Sequence, residues 1–138
     1  MQKTLSIIKP DAVKALYTGK IIDFIENKGL QIVAKKKMVL TRKQAECFYE
    51  VHKEKPFFSE LVDFMVSGPV VVQVLTGENA IEHYREIMGS TDPNMAEEDT
   101  IRKLYGKNIQ CNAVHGSDSS ENANTEISFF FSKLELIN

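Results

Sequence analysis

From Val70 to Leu75 the chain reads Val-Val-Val-Gln-Val-Leu, apolar everywhere except Gln73. A strand with no polar face belongs in the middle of a sheet rather than at its rim. The other strands must flank it. Thr4 to Lys9, built on Leu5, Ile7 and Ile8, reads as one; Pro10 stops it, because proline cannot continue a hydrogen-bonded ladder. A second strand is predicted from about Gln31 to Leu40, and a short one at Asn112 to Val114.

Helical signals fill the gaps. Tyr17, Ile21, Phe24 and Ile25 recur at helical spacing and stop at Gly29, a good C-cap residue. Thr41 and Gln44 form a capping box that predicts a helix from Arg42 to about Val51. Pro56 interrupts, and Phe57, Phe58, Leu61, Val62 and Met65 mark a further short helix before the turn Ser67-Gly68-Pro69. Glu78 to Met88 reads as a helix closed by Gly89. Asp118 with Glu121 gives a capping pattern for a last helix, striped by Ala123, Ile127, Phe130 and Leu134. Ser90 to Gln110 has little periodicity, with only Ile101, Leu104 and Tyr105 as apolar anchors. A loop this long inside a compact domain is uncommon and is usually functional or disordered.

Reduced to its core, this order is βαββαβ, the split βαβ or ferredoxin-like arrangement. The expected fold is α+β: a four-stranded antiparallel sheet covered by helices, with a long loop before the last strand. There is no internal repeat and no linker-like stretch, so residues 1–138 read as a single domain. The formal net charge of −2 argues against a general nucleic-acid binder, whose affinity comes mostly from neutralising phosphates. It leaves room for a single nucleotide, which needs only a few cations. Cys47 and Cys111 form no CxxC or zinc pattern, and two lone thiols fit a reducing compartment. No run approaches the ~20 apolar residues of a membrane span. Met1 to Leu5 passes straight into the first strand, which argues against a signal peptide, so a cytoplasmic location is expected.

The chain has no Gly-x-x-x-x-Gly-Lys-Ser/Thr phosphate loop, no Gly-x-Gly-x-x-Gly, no His-Glu-x-x-His and no Gly-x-Ser-x-Gly elbow. Its most unusual segment is Asn112-Ala113-Val114-His115-Gly116-Ser117-Asp118-Ser119. A histidine at the end of a strand is followed by small residues and then by a helix N-terminus. Such an imidazole can approach an anionic substrate and act as a nucleophile toward phosphorus. On pattern alone, a surface-loop histidine beside a helix cap is the better explanation.

The chain resembles the nucleoside diphosphate kinases over nearly its whole length. The resemblance rests on Ile8-Lys9-Pro10-Asp11-Ala12-Val13, Pro56-Phe57-Phe58, Ser67-Gly68-Pro69-Val70, Thr100-Ile101-Arg102 and Asn112 to Ser119, in matching order and spacing. It implies a ping-pong transfer. The γ-phosphate of a nucleoside triphosphate, mainly ATP, passes to His115 as a phosphohistidine and then to a nucleoside diphosphate, maintaining the triphosphate pools. It implies that Lys9, Arg85 and Arg102 bind phosphates. Thr91 and Asn112 would hold phosphate and ribose hydroxyls. Phe57 would stack on the base with Leu61 lining the same slot, and Tyr49, Ser117 and Glu126 would support the histidine. Magnesium would be held mainly by the nucleotide phosphates, with Asp118 touching it through water. A homo-oligomer, tetramer or hexamer, is implied as well, with no nucleic-acid and no membrane partner.

Three departures stand out. Asp99, after Glu97 and Glu98, occupies a position where relatives often carry glycine. Ala15 stands where many have a basic residue. The C-terminus lacks the extension of larger relatives. His52 and His83 receive no role. Two competing readings are a nucleic-acid-binding module of the same architecture and a relative that binds nucleotide without turnover. The first needs aromatics on the sheet, and the first and third strands have none. The second is disfavoured because every expected site residue is present.

Overall fold

The computed structural model describes residues 1–137. Its strands are β1 (Gln2–Ile8), β2 (Gln31–Met38), β3 (Val70–Gly77) and β4 (Val114–Gly116), forming one sheet in the order β2-β3-β1-β4. Every neighbouring pair is antiparallel. The apolar strand predicted as central is β3, lying between β1 and β2.

Among the described residues the helices are α1 (Pro10–Lys14), α2 (Thr18–Asn27), α3 (Arg42–Phe48), α4 (Phe58–Met65), α5 (Ala80–Met88), α6 (Ile101–Tyr105) and α7 (Ser120–Phe130). They cover both faces of the sheet, which is why β3 has no polar face. Val71 and Leu75 join Ile8 under α1, α2, α5 and α6. Val70, Val72 and Val74 join Leu5 and Ile7 under α3, α4 and α7. Fully burying one such side chain stabilises the fold by about 1.5–3 kcal/mol. The exception, Gln73, pairs in register with Ser6 and donates from Nε2 to its hydroxyl at 3.1 Å. That hydroxyl in turn lies 2.8 Å from Tyr84 Oη, so the buried amide nitrogen has a partner.

Several boundaries differ from expectation. Pro10 ends β1 but also opens α1 at its first position, where its missing N–H costs nothing. The helix from Arg42 gives way after Phe48 to a 3₁₀ turn at Glu50–His52. The aperiodic stretch Ser90 to Gln110 holds a 3₁₀ turn (Pro93–Met95) and α6, which buries Ile101 but leaves Leu104 half exposed. The last strand lies two residues later than predicted, at Val114–Gly116 instead of Asn112 to Val114. The N-cap of α7 is Ser119, whose side chain accepts from Asn122 N–H, and not Asp118. Leu134 leaves the α7 stripe for a 3₁₀ turn and is 98% exposed. No helix among the described residues is long and apolar enough to cross a membrane.

Candidate functional site

His115 lies within β4 rather than beyond its end, directly opposite Ile7 of β1. Opposed residues point to the same face of a sheet, and Ile7 belongs to the face covered by α3, α4 and α7. The imidazole therefore turns toward α3 and α7, while Val114 and Gly116 turn toward α5. At Gly116 a Cβ would come within 2.6 Å of Met88 Cε and 2.8 Å of Tyr84 Cδ2. Only glycine lets α5 pack this closely behind the histidine.

A directed chain of hydrogen bonds fixes the ring. His115 Nε2 donates to Glu126 Oε1 at 2.9 Å, and Ser117 Oγ donates to the same oxygen at 2.8 Å. Leu5 N–H donates to Ser117 Oγ at 3.3 Å. Because the backbone amide occupies the acceptor side of the hydroxyl, the hydroxyl proton goes to Glu126. Nε2 thus keeps its proton, and the lone pair left free is on Nδ1. Both side chains are about one-fifth exposed, at 21% for His115 and 20% for Glu126, so the ring is held yet reachable. Phe48 packs its ring against the imidazole at 5.6 Å and 74°.

Tyr49, expected to support the histidine, packs against Phe48, with ring centroids 4.9 Å apart. Its hydroxyl is buried without a partner, and burial together with the Glu126 charge pushes its pKa up. It supports the site one ring removed. Phe48 was missed in the sequence because nothing distinguishes it from the other apolar positions of α3.

The cations converge on the same strand from the other side. Arg102 in α6 is 8% exposed and donates from Nη1 to Gly89 O at 3.0 Å and from Nη2 to Val114 O at 2.9 Å. Lys9, which precedes α1, donates from Nζ to Asn112 Oδ1 at 2.9 Å. Asn112 Nδ2 donates to Thr91 O at 3.0 Å, so Thr91 enters through its carbonyl. Burial and the neighbouring Arg102 guanidinium pull Lys9 down to about pKa 8, partly offset by Asp11. Burial, and to a lesser degree the Arg85 charge, lowers Arg102, while Tyr84 opposes the shift. Like charges that depress one another in this way favour an incoming polyanion.

The turn leading into β4 is unusual. Ala113 has φ +75°, and Val114 N–H donates to Asn112 O at 2.9 Å, closing a γ-turn around it. That form is rare and strained for a residue with a side chain. Two contacts restrain it: Ala113 N–H donates to Asp11 Oδ2 at 3.1 Å, and Lys9 N–H donates to Ala113 O at 2.8 Å.

Arg85, Thr91, Arg102 and Asp118 line one cleft of about 900 Å³, between α5 and the segment 89–102. Phe57 and Leu61 do not line it. Phe57 is 47% exposed, with its ring 5.7 Å from that of His52, whereas its neighbour Phe58 packs against the core. Leu61 rests against the core of the α3–α4 face. Among the described residues no cluster of three or more His, Cys, Asp or Glu could cage a metal. Four carboxylates, Glu82, Glu86, Glu97 and Asp118, line the cleft without clustering into a cage, which fits an ion carried mainly by phosphates.

The arrangement presents an oriented imidazole with Nδ1 left free, on a strand whose Val114 carbonyl anchors Arg102; Arg85 and Arg102 line the cleft, whereas His115, Lys9 and Asn112 are not among its lining residues. Such a set suits nucleophilic attack on a phosphoryl group.

Comparison with known proteins gives a consistent result. The family profile described as "Nucleoside diphosphate kinase" matches residues 2–136. The nucleoside diphosphate kinase of Wolbachia pipientis subsp. Culex pipiens is 59% identical over 99% of both chains. That of Chlamydia trachomatis serovar D is 59% identical over 100% of this chain and 98% of its own. The Aquifex aeolicus nucleoside diphosphate kinase superposes with a TM-score of 0.97 at 48% identity, covering 99% of each chain. The Halobacterium salinarum enzyme, solved in complex with CDP, gives a TM-score of 0.94 at 38% identity, over 99% of this chain and 91% of its own.

Proposed function

Since this chain belongs to the nucleoside diphosphate kinase family and is a phosphotransferase of that activity, we propose that His115 Nδ1 is the atom that carries the phosphoryl group. The observation that carries this reading is the held tautomer: Glu126 occupies Nε2, so attack falls to Nδ1. In the first half-reaction Nδ1 attacks the γ-phosphorus of a nucleoside triphosphate. The N–P bond forms as the bridging P–O bond breaks, and a nucleoside diphosphate leaves with the bonding electrons. The phosphorylated ring is cationic, and the Glu126 carboxylate at Nε2 stabilises it as it forms. In the second half-reaction a terminal phosphate oxygen of another nucleoside diphosphate attacks the same phosphorus, and Nδ1 leaves as the neutral imidazole.

Lys9, Arg85 and Arg102 bind the polyphosphate, and Asn112 and Thr91 orient it. Arg102, anchored to the carbonyls of Gly89 and Val114, offers a fixed charge rather than a searching one. Phe57, exposed on the flank, stacks on the base, with Leu61 beside it. Stacking tolerates every base, because each has a π-face. Magnesium would be held mainly by the nucleotide phosphates, with Asp118 reaching it through water, and would supply charge neutralisation on the transferring group. The CDP bound by the halobacterial relative supports a nucleotide in this cleft.

The single sheet with both faces covered supports one domain over 1–138. The free thiols Cys47 and Cys111 support a cytoplasmic enzyme. Exposed apolar residues such as Val51, Met95 and Ile109 support a homo-oligomer, tetramer or hexamer, which light scattering decides. The test of the site is exposure to ATP followed by mass mapping. Acid-labile, alkali-stable phosphate is expected on His115 and is absent in His115→Ala; equal labelling of both proteins defeats the assignment.

A further inference from the structure

We propose that Asp11 is a positioning residue for phosphoryl transfer, one whose carboxylate clamps the strained turn from which both Asn112 and His115 are aimed. This rests on the reading of His115 as phosphoryl carrier.

Asp11 Oδ2 accepts the Ala113 N–H at 3.1 Å across a sequence separation of 102 residues. Ala113 sits at φ +75°, in a conformation that a residue with a Cβ abandons unless its surroundings enforce it. On one side of that turn Asn112 joins Lys9 Nζ to the Thr91 carbonyl. On the other side β4 starts and presents His115 one residue later. A relaxation of Ala113 to negative φ would therefore swing the nucleotide ligand and the nucleophile together. Lys9 N–H also holds Ala113 O, but that bond leaves the amide side of the peptide free.

Asp11 meets the demands of the role. It lies in the first turn of α1, beside Pro10, so its backbone is pinned by the end of β1. Its second oxygen, Oδ1, is buried without a partner, and burial raises its pKa, although the Ala113 amide and Lys9 oppose the shift. A buried carboxylate oxygen left unpaired is costly, and a merely structural capping role would be filled as well by a neutral side chain. Its charge also has a use, because it holds up the pKa of Lys9 against burial and Arg102.

The clamp and the charge separate experimentally. Asp11→Ala removes both. Asp11→Asn keeps an acceptor for the Ala113 amide and removes the charge. Ala113→Gly, placed in the Asp11→Ala background, lets the turn hold positive φ without a clamp. The readout is the single-turnover rate of His115 phosphorylation by ATP in the full-length protein, with the pH profile of nucleotide affinity beside it. Asp11→Ala is expected to slow phosphorylation on the order of ten- to a hundredfold, the loss that comes with about an ångström of misplacement. Asp11→Asn should retain most of the rate but lose affinity at a lower pH than wild type, as Lys9 gives up its proton earlier. The Asp11→Ala/Ala113→Gly protein should recover at least half of the lost rate on a logarithmic scale.

If Asp11→Ala does not fold, the Asn variant and the double variant still decide. Equal slowing of Asp11→Ala and Asp11→Asn, or no recovery with glycine, overturns the clamp. A wild-type protein that carries no phosphate on His115 instead overturns the reading on which the clamp rests.

Discussion

Glu126 offers the sharpest test of how the histidine is activated. Its Oε1 receives two hydrogen bonds, from His115 Nε2 at 2.9 Å and Ser117 Oγ at 2.8 Å, and the group is only one-fifth exposed. A hydrogen bond to a charged partner is worth about 1.5–3 kcal/mol, and one between neutral groups about 0.5–1.5 kcal/mol. Glu126→Gln keeps an acceptor of the same shape and removes the charge, so it forfeits the difference, roughly 1–1.5 kcal/mol. At about 1.4 kcal/mol per decade, phosphorylation should slow roughly five- to tenfold. Glu126→Ala loses the bond and leaves the ring free to change tautomer, so roughly ten- to 150-fold is expected. The bond strengthens as the ring becomes cationic, so kcat and kcat/KM should fall together while KM holds. Rapid-quench measurement of labelled His115 under single turnover reads the step directly. A Glu126→Ala protein that labels within twofold of wild type would refute the account, as would a Gln variant slower than the Ala one.

Three further outcomes are expected. Gly116→Ala forces a methyl against Met88 and Tyr84; overpacking of this kind costs about 1–3 kcal/mol, visible as a Tm lower by several degrees, and an unchanged Tm would show that α5 can retreat. Lys9, held at about 8 instead of 10.5, should make the free protein gain stability as pH rises from 8 to 10.5, where the unfolded chain keeps a proton the folded one has released. Phosphate raises that pKa again, so binding a nucleoside diphosphate should take up a proton at pH 8.5 and none at pH 6.5. Calorimetry in buffers of different ionisation enthalpy checks this, and equal uptake at both pH values contradicts it. Asp99→Gly relieves a residue at φ +62° but removes its exposed 2.5 Å ion pair with Lys28; the two effects nearly cancel, leaving stability within about 1 kcal/mol, and a loss above 2 kcal/mol in urea melts would show that the pair does more.

The sheet was legible because its signals are local. The apolar run Val70 to Leu75, the stop at Pro10 and the Thr41–Gln44 capping box each state their structure within a few residues, and each appears as read. The register of β4 was not legible. Asn112 and Ala113 look strand-like, but the γ-turn at Ala113 is imposed by Asp11, a hundred residues away. Asp99 shows the same limit: it holds a positive φ of 62°, yet nothing in the sequence of the loop declares it. At the site, Glu126 could be proposed because it falls on the helix right after the histidine. Phe48 and the carbonyls that anchor Arg102 could not, since an apolar ring and a backbone oxygen carry no signature of their own. That Phe48 and not its neighbour Tyr49 meets the imidazole was not legible, because two adjacent aromatics give no hint of which ring lies closer.

The sheet order also sets when, during synthesis, catalytic competence can arise. The strand made first, β1, takes its outer partner from β4, and Leu5 is bonded to Ser117, 112 residues further on. A nascent chain that has not reached β4 has therefore made Lys9, Arg85 and Arg102 but has neither the imidazole nor a covered edge on β1, and until α7 follows the imidazole lacks its Glu126 tether. Such an edge attracts other strands until it is filled. The chain stays open to pairing with its neighbours on the same messenger until β4 fills that edge, and its imidazole stays untethered until the last helix docks.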